Sequence, residues 1–360
     1  MRKIHYVNKL VYFKILYIGT DPKGKGGMAT VMRFYQNISK EKFSFICVHR
    51  FESKFKQLLR AIGAFFLLLY NCICKPIQIV HIQTASYRSF YRDSVYLLLA
   101  KLLGKRVILH IHGGEFELFY NQSPRFCHFI CRKADCLMAV SEYFAQIFRN
   151  LKLNDNVICL YNPIEYDIER STSYGKNSLD EKKINIAFLG AIDRNKGVYD
   201  ILKCWHTHKS FFSTYANLHL AGIGDHDTLN ELIDEYGISD LVTYHGWLND
   251  EAKGRLLETT DIYLQPSYFE SLGIAILEAM SYQIPIIATR VGGIPELVHH
   301  GDNGFLINPG DIDQLFFFIR LLVEDSEMRR IMGEKGFQSV DKFSIQSIKR
   351  QVEELYSELL

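Results

Sequence analysis

The chain has 360 residues, 48% hydrophobic and 23% charged, enough for two ordinary domains with packed cores. Its 42 Lys and Arg against 40 Asp and Glu leave a net charge of +2, which argues against a nucleic-acid partner held by bulk charge. Eight cysteines without a Cys-x-x-Cys framework suit a reducing compartment, and His5, Asn8, Lys9 and Lys14 interrupt any apolar leader.

In chain order, short apolar runs predict strands over 14–19, 43–49, 77–83, 106–111, 136–140 and 157–161. Amphipathic stretches between them predict helices over 28–39, 54–74, 88–103 and 141–150. Within 54–74 the run 61–74 has 14 residues, short of the ~20 needed to span a bilayer. It reads either as a core helix or, with Lys54, Lys56 and Arg60 before it and Phe65 to Tyr70 inside it, as a helix lying on an anionic membrane. Cys127, His128 and Cys131 read as helix residues with buried thiols or, alternatively, as metal ligands.

A polar, turn-rich linker is expected over 166–183. The second half repeats the logic, with strands at 184–190, 218–222, 242–245, 262–265, 285–288 and 305–307. Helices are predicted over 198–208, 228–236, 250–259, 272–282, 310–324 and 327–335, and a final helix over 343–360. Strand–helix alternation at this spacing gives two doubly wound α/β domains in tandem, each with a parallel sheet covered on both faces. Ligands of such sheets bind beyond the carboxyl ends of the strands.

Four segments at those ends carry candidate chemistry. In Pro266-Ser-Tyr-Phe-Glu-Ser-Leu-Gly-Ile-Ala-Ile-Leu-Glu278, Ser271 is expected to cap a helix beginning near Leu272. The first amides of that helix and Gly273 would suit a phosphate, and Glu278, in an apolar helix, needs hydroxyl partners. Arg194 and Lys196 sit in the turn after the 184–190 strand and would neutralise an anionic leaving group. His110 and His112 share one side of a strand end, and with Glu115 they also suit a metal, although no third His stands at a recognisable spacing. Gly24 to Gly27 form a tight turn before a helix, without the dinucleotide or Walker fingerprints.

The 266–278 segment resembles the E-x7-E segment of the retaining, GT-B-fold nucleotide-sugar glycosyltransferases of family 4. The 188–197, 109–115 and 24–29 segments are similar to that family's other loops, with Ala191 where the family often has Arg. The resemblance implies two Rossmann-like doubly wound domains facing a cleft. Residues 1–165 would form the acceptor-side domain, 184–340 the nucleotide-sugar domain, and 341–360 a helix crossing back to the first. It implies catalytic roles for His112, Glu270, Lys196 and Arg194. Donor contacts would come from Gly26, Gly27, Lys196, Trp247, Leu272, Gly273 and Glu278, with Glu278 on the ribose. His81, Gln83 and Arg88 are expected on the acceptor side, or as local structure.

The implied activity is a cytoplasmic, metal-independent transfer from a UDP- or GDP-sugar to a glycan or lipid-linked glycan, as in bacterial surface polysaccharide synthesis. No cofactor or nucleic-acid partner is expected, and peripheral membrane contact is expected only on the reading in which the 54–74 helix lies on a membrane rather than in the core. The competing readings are a non-catalytic glycan- or nucleotide-sugar-binding protein, or a nucleotide-sugar epimerase or glycogen-type phosphorylase of similar architecture.

Overall fold

The computed structural model describes residues 14–50, 52–165 and 183–360. The expected linker therefore falls outside the described residues, except for Lys183.

The chain divides into two units, 1–163 with 343–360, and 164–342. The first holds β1 (Ile15–Thr20), α1 (Gly27–Ser39), β2 (Ser44–His49), α2 (Lys54–Cys74), β3 (Ile79–Thr84), α3 (Arg88–Leu102) and β4 (Arg106–Ile111). It continues through α4 (Phe116–Gln122), α5 (Pro124–Lys133), β5 (Cys136–Ala139), α6 (Glu142–Asn150) and β6 (Val157–Cys159). Its six strands are all parallel in the order β2-β1-β3-β4-β5-β6. The central strands are buried on both faces, which is why they read as unbroken apolar runs. One face packs Leu16, Ile82, Leu109 and Ile111 against Ala64 and Leu68 of α2, Phe90 and Leu97 of α3, and Ile130 of α5.

No element bounds are predicted over 116–133, although Cys127 and Cys131 read as helix residues; α4 and α5 occupy the stretch, divided where Ser123 is followed by Pro124 at the start of α5. Cys127 and Cys131 are fully buried core residues of α5, and burial pushes the Cys127 thiol up to about 11. His128 Nε2 donates to the Leu151 carbonyl oxygen, 2.9 Å away.

The second unit holds β7 (Ile184–Leu189), α7 (Val198–Thr207), α8 (Lys209–Tyr215), β8 (Ala216–Ala221), α9 (His226–Glu235), β9 (Val242–Tyr244) and α10 (Asp250–Glu258). It ends with β10 (Ile262–Gln265), α11 (Ile274–Met280), β11 (Ile286–Thr289), β12 (Gly304–Ile307), α12 (Ile312–Glu324) and α13 (Ser326–Gln338). The strand order is β12-β11-β10-β7-β8-β9, again all parallel. In both units the first strand lies inside the sheet, so the winding direction reverses beside it, between β1 and β3 and between β7 and β10. Such a reversal opens a crevice at the carboxyl ends of those two strands.

The last helix, α14 (Ile345–Leu359), belongs to the first unit. Ser344 caps it, and its apolar stripe of Ile348, Val352, Leu355, Tyr356 and Leu359 is buried.

Candidate functional site

In the second unit the turn after β7 is held by its own hydrogen bonds. Asp193 accepts a hydrogen bond from the Lys196 amide at 2.9 Å and caps a 3-10 turn over Arg194–Lys196. Gly197 ends it in the left-handed region at φ +72°, and a Cβ there would stand 2.0 Å from the Pro266 carbonyl oxygen. The Tyr268 amide donates to the Asn195 carbonyl at 2.7 Å. The loops after β7 and β10 are thereby locked together across the reversal crevice.

That lock brings two candidates together. Lys196 Nζ lies 2.7 Å from Glu270 Oε2, and both side chains are partly buried. Glu270 Oε1 also accepts from the Ser271 amide at 3.2 Å. Beneath the loop runs a buried polar chain. The Tyr263 hydroxyl donates to Gln265 Oε1 at 2.8 Å, and Gln265 Nε2 donates to Ser267 Oγ at 2.8 Å. The Thr289 hydroxyl donates to the Ser267 carbonyl at 2.5 Å. These bonds tie the turn at 266–270 to the sheet below it.

The helix after this turn starts later than the sequence suggests. Ser271 does not cap it. Gly273, at φ +100°, is the N-cap, and α11 runs from Ile274 for seven residues. Only glycine adopts that backbone angle without strain, so the chain makes a left-handed turn before the helix begins. Leu272 is fully buried and Gly273 follows it at the mouth of α11.

Glu278 has a partner the sequence does not reveal. Its Oε1 meets Lys253 Nζ of α10 at 2.5 Å, and Lys253 reaches Asp250 at 3.3 Å. Burial works against the Lys253 charge, but the Glu278 carboxylate, with Asp250, more than offsets it and raises the pKa. Twenty-five residues separate the pair, so no helical spacing signals it.

Arg194 is exposed, and its charge acts on Asp200 and Tyr268. Burial raises the Asp200 pKa, and a Tyr268 hydrogen bond counters it. Trp247 follows β9, two strands from β7, and is 43% exposed. The segment bearing it is anchored where the Gly222 amide donates to the Gly246 carbonyl at 2.8 Å.

In the first unit, Gly26 is the N-cap of α1 at φ +96°, an angle that demands glycine. Gly27 opens the helix. Arg33 braces this loop by donating to the Pro22 and Gly24 carbonyls at 3.2 and 3.4 Å.

His112 is buried just past β4, its ring centroid 4.1 Å from that of His110. Burial lowers its pKa to about 3, so the ring is neutral near pH 7. Gln83 Nε2 and Oε1, His110 Nε2 and His112 Nε2 are buried without a hydrogen-bond partner among the described residues. An unpaired buried polar atom costs about 1–3 kcal/mol, so these ends of β3 and β4 are chemically ready for a hydroxylated ligand.

The acceptor-side candidates separate. His81 and Gln83 do not follow a strand; both lie within β3. His81 is fully enclosed, its Nδ1 2.7 Å from the Tyr356 hydroxyl of α14 and its Nε2 3.3 Å from His110 Nδ1. It is a core residue with no surface for an acceptor. Arg88 is exposed at the first turn of α3. Among the described residues no three His, Cys, Asp or Glu side chains converge to hold a metal.

Residues 169–339 match the family model described as glycosyl transferases group 1. The chain is 29% identical over 277 residues to N-acetyl-alpha-D-glucosaminyl L-malate synthase of Bacillus anthracis, covering 73% of this chain and 71% of the relative. A sucrose-phosphate synthase from Thermosynechococcus elongatus superposes with a TM-score of 0.79 at 17% identity, over 96% of this chain and 99% of the other. Anabaena HepE, solved in complex with UDP-glucose, gives a TM-score of 0.76 at 18% identity over 96% and 99%. The fold is that of the GT-B glycosyltransferases.

Proposed function

We propose that the protein is a retaining family 4 glycosyltransferase that moves a sugar from a UDP- or GDP-sugar to a glycan or lipid-linked glycan. The observation that carries this reading is the Lys196–Glu270 pair, 2.7 Å apart across the crevice between β7 and β10.

In this reading the donor diphosphate binds beside Lys196, with the amides at Leu272 and Gly273 and the glycine loop at Gly26 and Gly27 meeting its oxygens. Arg194 adds positive charge from the loop. Glu278, held by Lys253, accepts hydrogen bonds from the ribose hydroxyls, and Trp247 lies towards the base. Glu270 and neutral His112 orient the transferred sugar through its hydroxyls. Gln83 and Arg88 remain on the acceptor side.

Chemically, the bond from the anomeric carbon to the diphosphate oxygen breaks while the acceptor oxygen attacks from the same face. The acceptor proton passes to a departing phosphate oxygen. Lys196 stabilises the charge that grows on the leaving group, a contribution larger in the transition state than in the ground state. No step calls for a metal or an enzyme nucleophile. The setting proposed is surface polysaccharide synthesis at the cytoplasmic face of a bacterial membrane.

The test is a thermal-shift panel of UDP-, GDP- and ADP-sugars, followed by product analysis with the stabilising donor. A true donor at saturation raises stability by about 3–4 kcal/mol through mass action. If none of these ligands stabilises the protein, the proposal fails. Conversion of the donor without acceptor would identify an epimerase instead.

A further inference from the structure

In the first unit, α2 carries two apolar stripes. Ala64, Leu68 and Cys72 face the core, packed with β2 and α3. On the opposite side Phe55, Leu59, Ile62, Phe66, Tyr70 and Ile73 are exposed, with Phe66 at 61% and Ile73 at 66%. Their spacing of three and four residues confines them to an arc of about 80° along a helix about 30 Å long.

The apolar surface continues onto the neighbouring helices. The Tyr96 hydroxyl of α3 donates to the Ala61 carbonyl of α2 at 3.1 Å, and α3 packs on α5. Outward on α3 lie Val95, Leu98 and Leu102, the last 83% exposed; on α5 lies Phe129. A contiguous patch of this kind on a folded domain marks a binding surface.

Charge identifies the occupant. Residues 52–135 contain twelve Lys and Arg against five Asp and Glu, in a chain nearly neutral overall. Among these acids Glu52 is paired with Arg60, Asp93 with Arg92 and Asp135 with Lys101. The exposed cations Lys54, Lys56, Lys75, Arg125, Arg132 and Lys133 stand on the same helices or at their ends. Lys133 Nζ lies 5.6 Å from the centre of the exposed Phe129 ring.

We infer that α2, α3 and α5 together form a docking face for a bilayer rich in anionic lipid, with α2 lying in the plane of the interface. The helix has the length and composition to span a membrane. Spanning would strip Ala64, Leu68 and Cys72 from the core, whereas lying flat buries the outer stripe and leaves the inner one packed. A second copy of the chain is disfavoured because two such faces would bring like charges together. This deepens the reading of a lipid-linked acceptor: the acceptor would be taken from the surface on which the first unit rests.

The experiment uses the full chain with sedimenting vesicles of phosphatidylcholine alone, or of phosphatidylcholine mixed with phosphatidylglycerol. Binding is expected only to the anionic vesicles and should weaken as salt rises. The double variant Phe66→Glu/Ile73→Glu, both sites outside the core, should bind about tenfold or more weakly. Its donor thermal shift should stay unchanged, which separates this test from that of the transferase reading. The inference is overturned if anionic vesicles are not bound, or if the variant binds them as well as the parent. It is equally overturned if sizing reveals a dimer that the variant dissolves.

Discussion

A Cβ placed on Gly292 would stand 1.7 Å from the Glu270 carbonyl oxygen. Gly292 also sits at φ +52°, so both space and backbone angle exclude a side chain there. The loop after β11 is therefore the wall that sets the depth of the Glu270 turn. Gly292→Ala must push one of the two loops away. The expected outcome is a fall in kcat/KM of about 100-fold, since a shift of about 1 Å in a positioned group has that effect. Steady-state kinetics with the stabilising donor checks it. Circular dichroism should show an intact fold; full activity in the variant would mean the Glu270 turn is not part of the site.

Lys196→Ala removes the cation closest to Glu270 and leaves that half-buried carboxylate without its ion pair. About 100-fold is expected to be lost from kcat/KM, most of it in kcat, because the charge it meets grows only as the diphosphate departs. Lys196→Arg keeps the charge but not the reach and should recover part of the rate. A purely structural ion pair would instead lower the unfolding midpoint with kcat unmoved.

Glu270 and Glu278 were legible because each lies at a fixed distance from a strand end, and buried parallel strands announce themselves as apolar runs. Lys253 was not, because it lies on the preceding helix α10, 25 residues before Glu278 and with β10 between them in the chain. The Ser271 cap was misjudged because a Ser before an apolar stretch is the usual signal, while Gly273 adopts a left-handed turn that residue pattern alone does not distinguish. His81 was misplaced for a third reason. A histidine in an apolar strand looks functional until the residue covering it is known, and here that residue is Tyr356, 275 positions away. The bounds of α4 and α5 were not legible, because each helix is short and Ser123-Pro124 divides them, although Cys127 and Cys131 read as helix residues.

The Lys253–Glu278 contact makes a prediction that separates binding from turnover. Lys253→Met leaves Glu278 partly buried without its cation and free to reorient. Donor affinity is expected to fall about fivefold to tenfold with kcat little changed, as for a residue that positions a ground-state contact. Glu278→Ala should weaken donor binding more, by about tenfold to 100-fold, since hydrogen bonds to a charged acceptor are the stronger kind. Isothermal titration with the nucleoside diphosphate reads both. Equal affinity in the parent and Glu278→Ala would remove the ribose role from this carboxylate.

The histidine stack of the first unit ties its stability to pH. His81 and His112 are pushed down to about 3, and His110 also lies well below the usual range, each chiefly by burial. In the unfolded chain the same rings titrate near ~6.5. Above about pH 7 both states leave them neutral and their titration is silent. Below ~6.5 the unfolded chain takes up protons that the folded unit refuses, so stability falls as pH drops, by up to ~1.4 kcal/mol per pH unit for each ring. Urea unfolding of the first unit should therefore show midpoints dropping steadily from pH 7 to pH 5, a window in which ordinary Asp and Glu change little. His110→Gln removes one of these rings and should flatten that slope, whatever it does to stability at pH 7.5. A midpoint that stays level across this window would mean that the rings are hydrated and able to take up protons in the folded state.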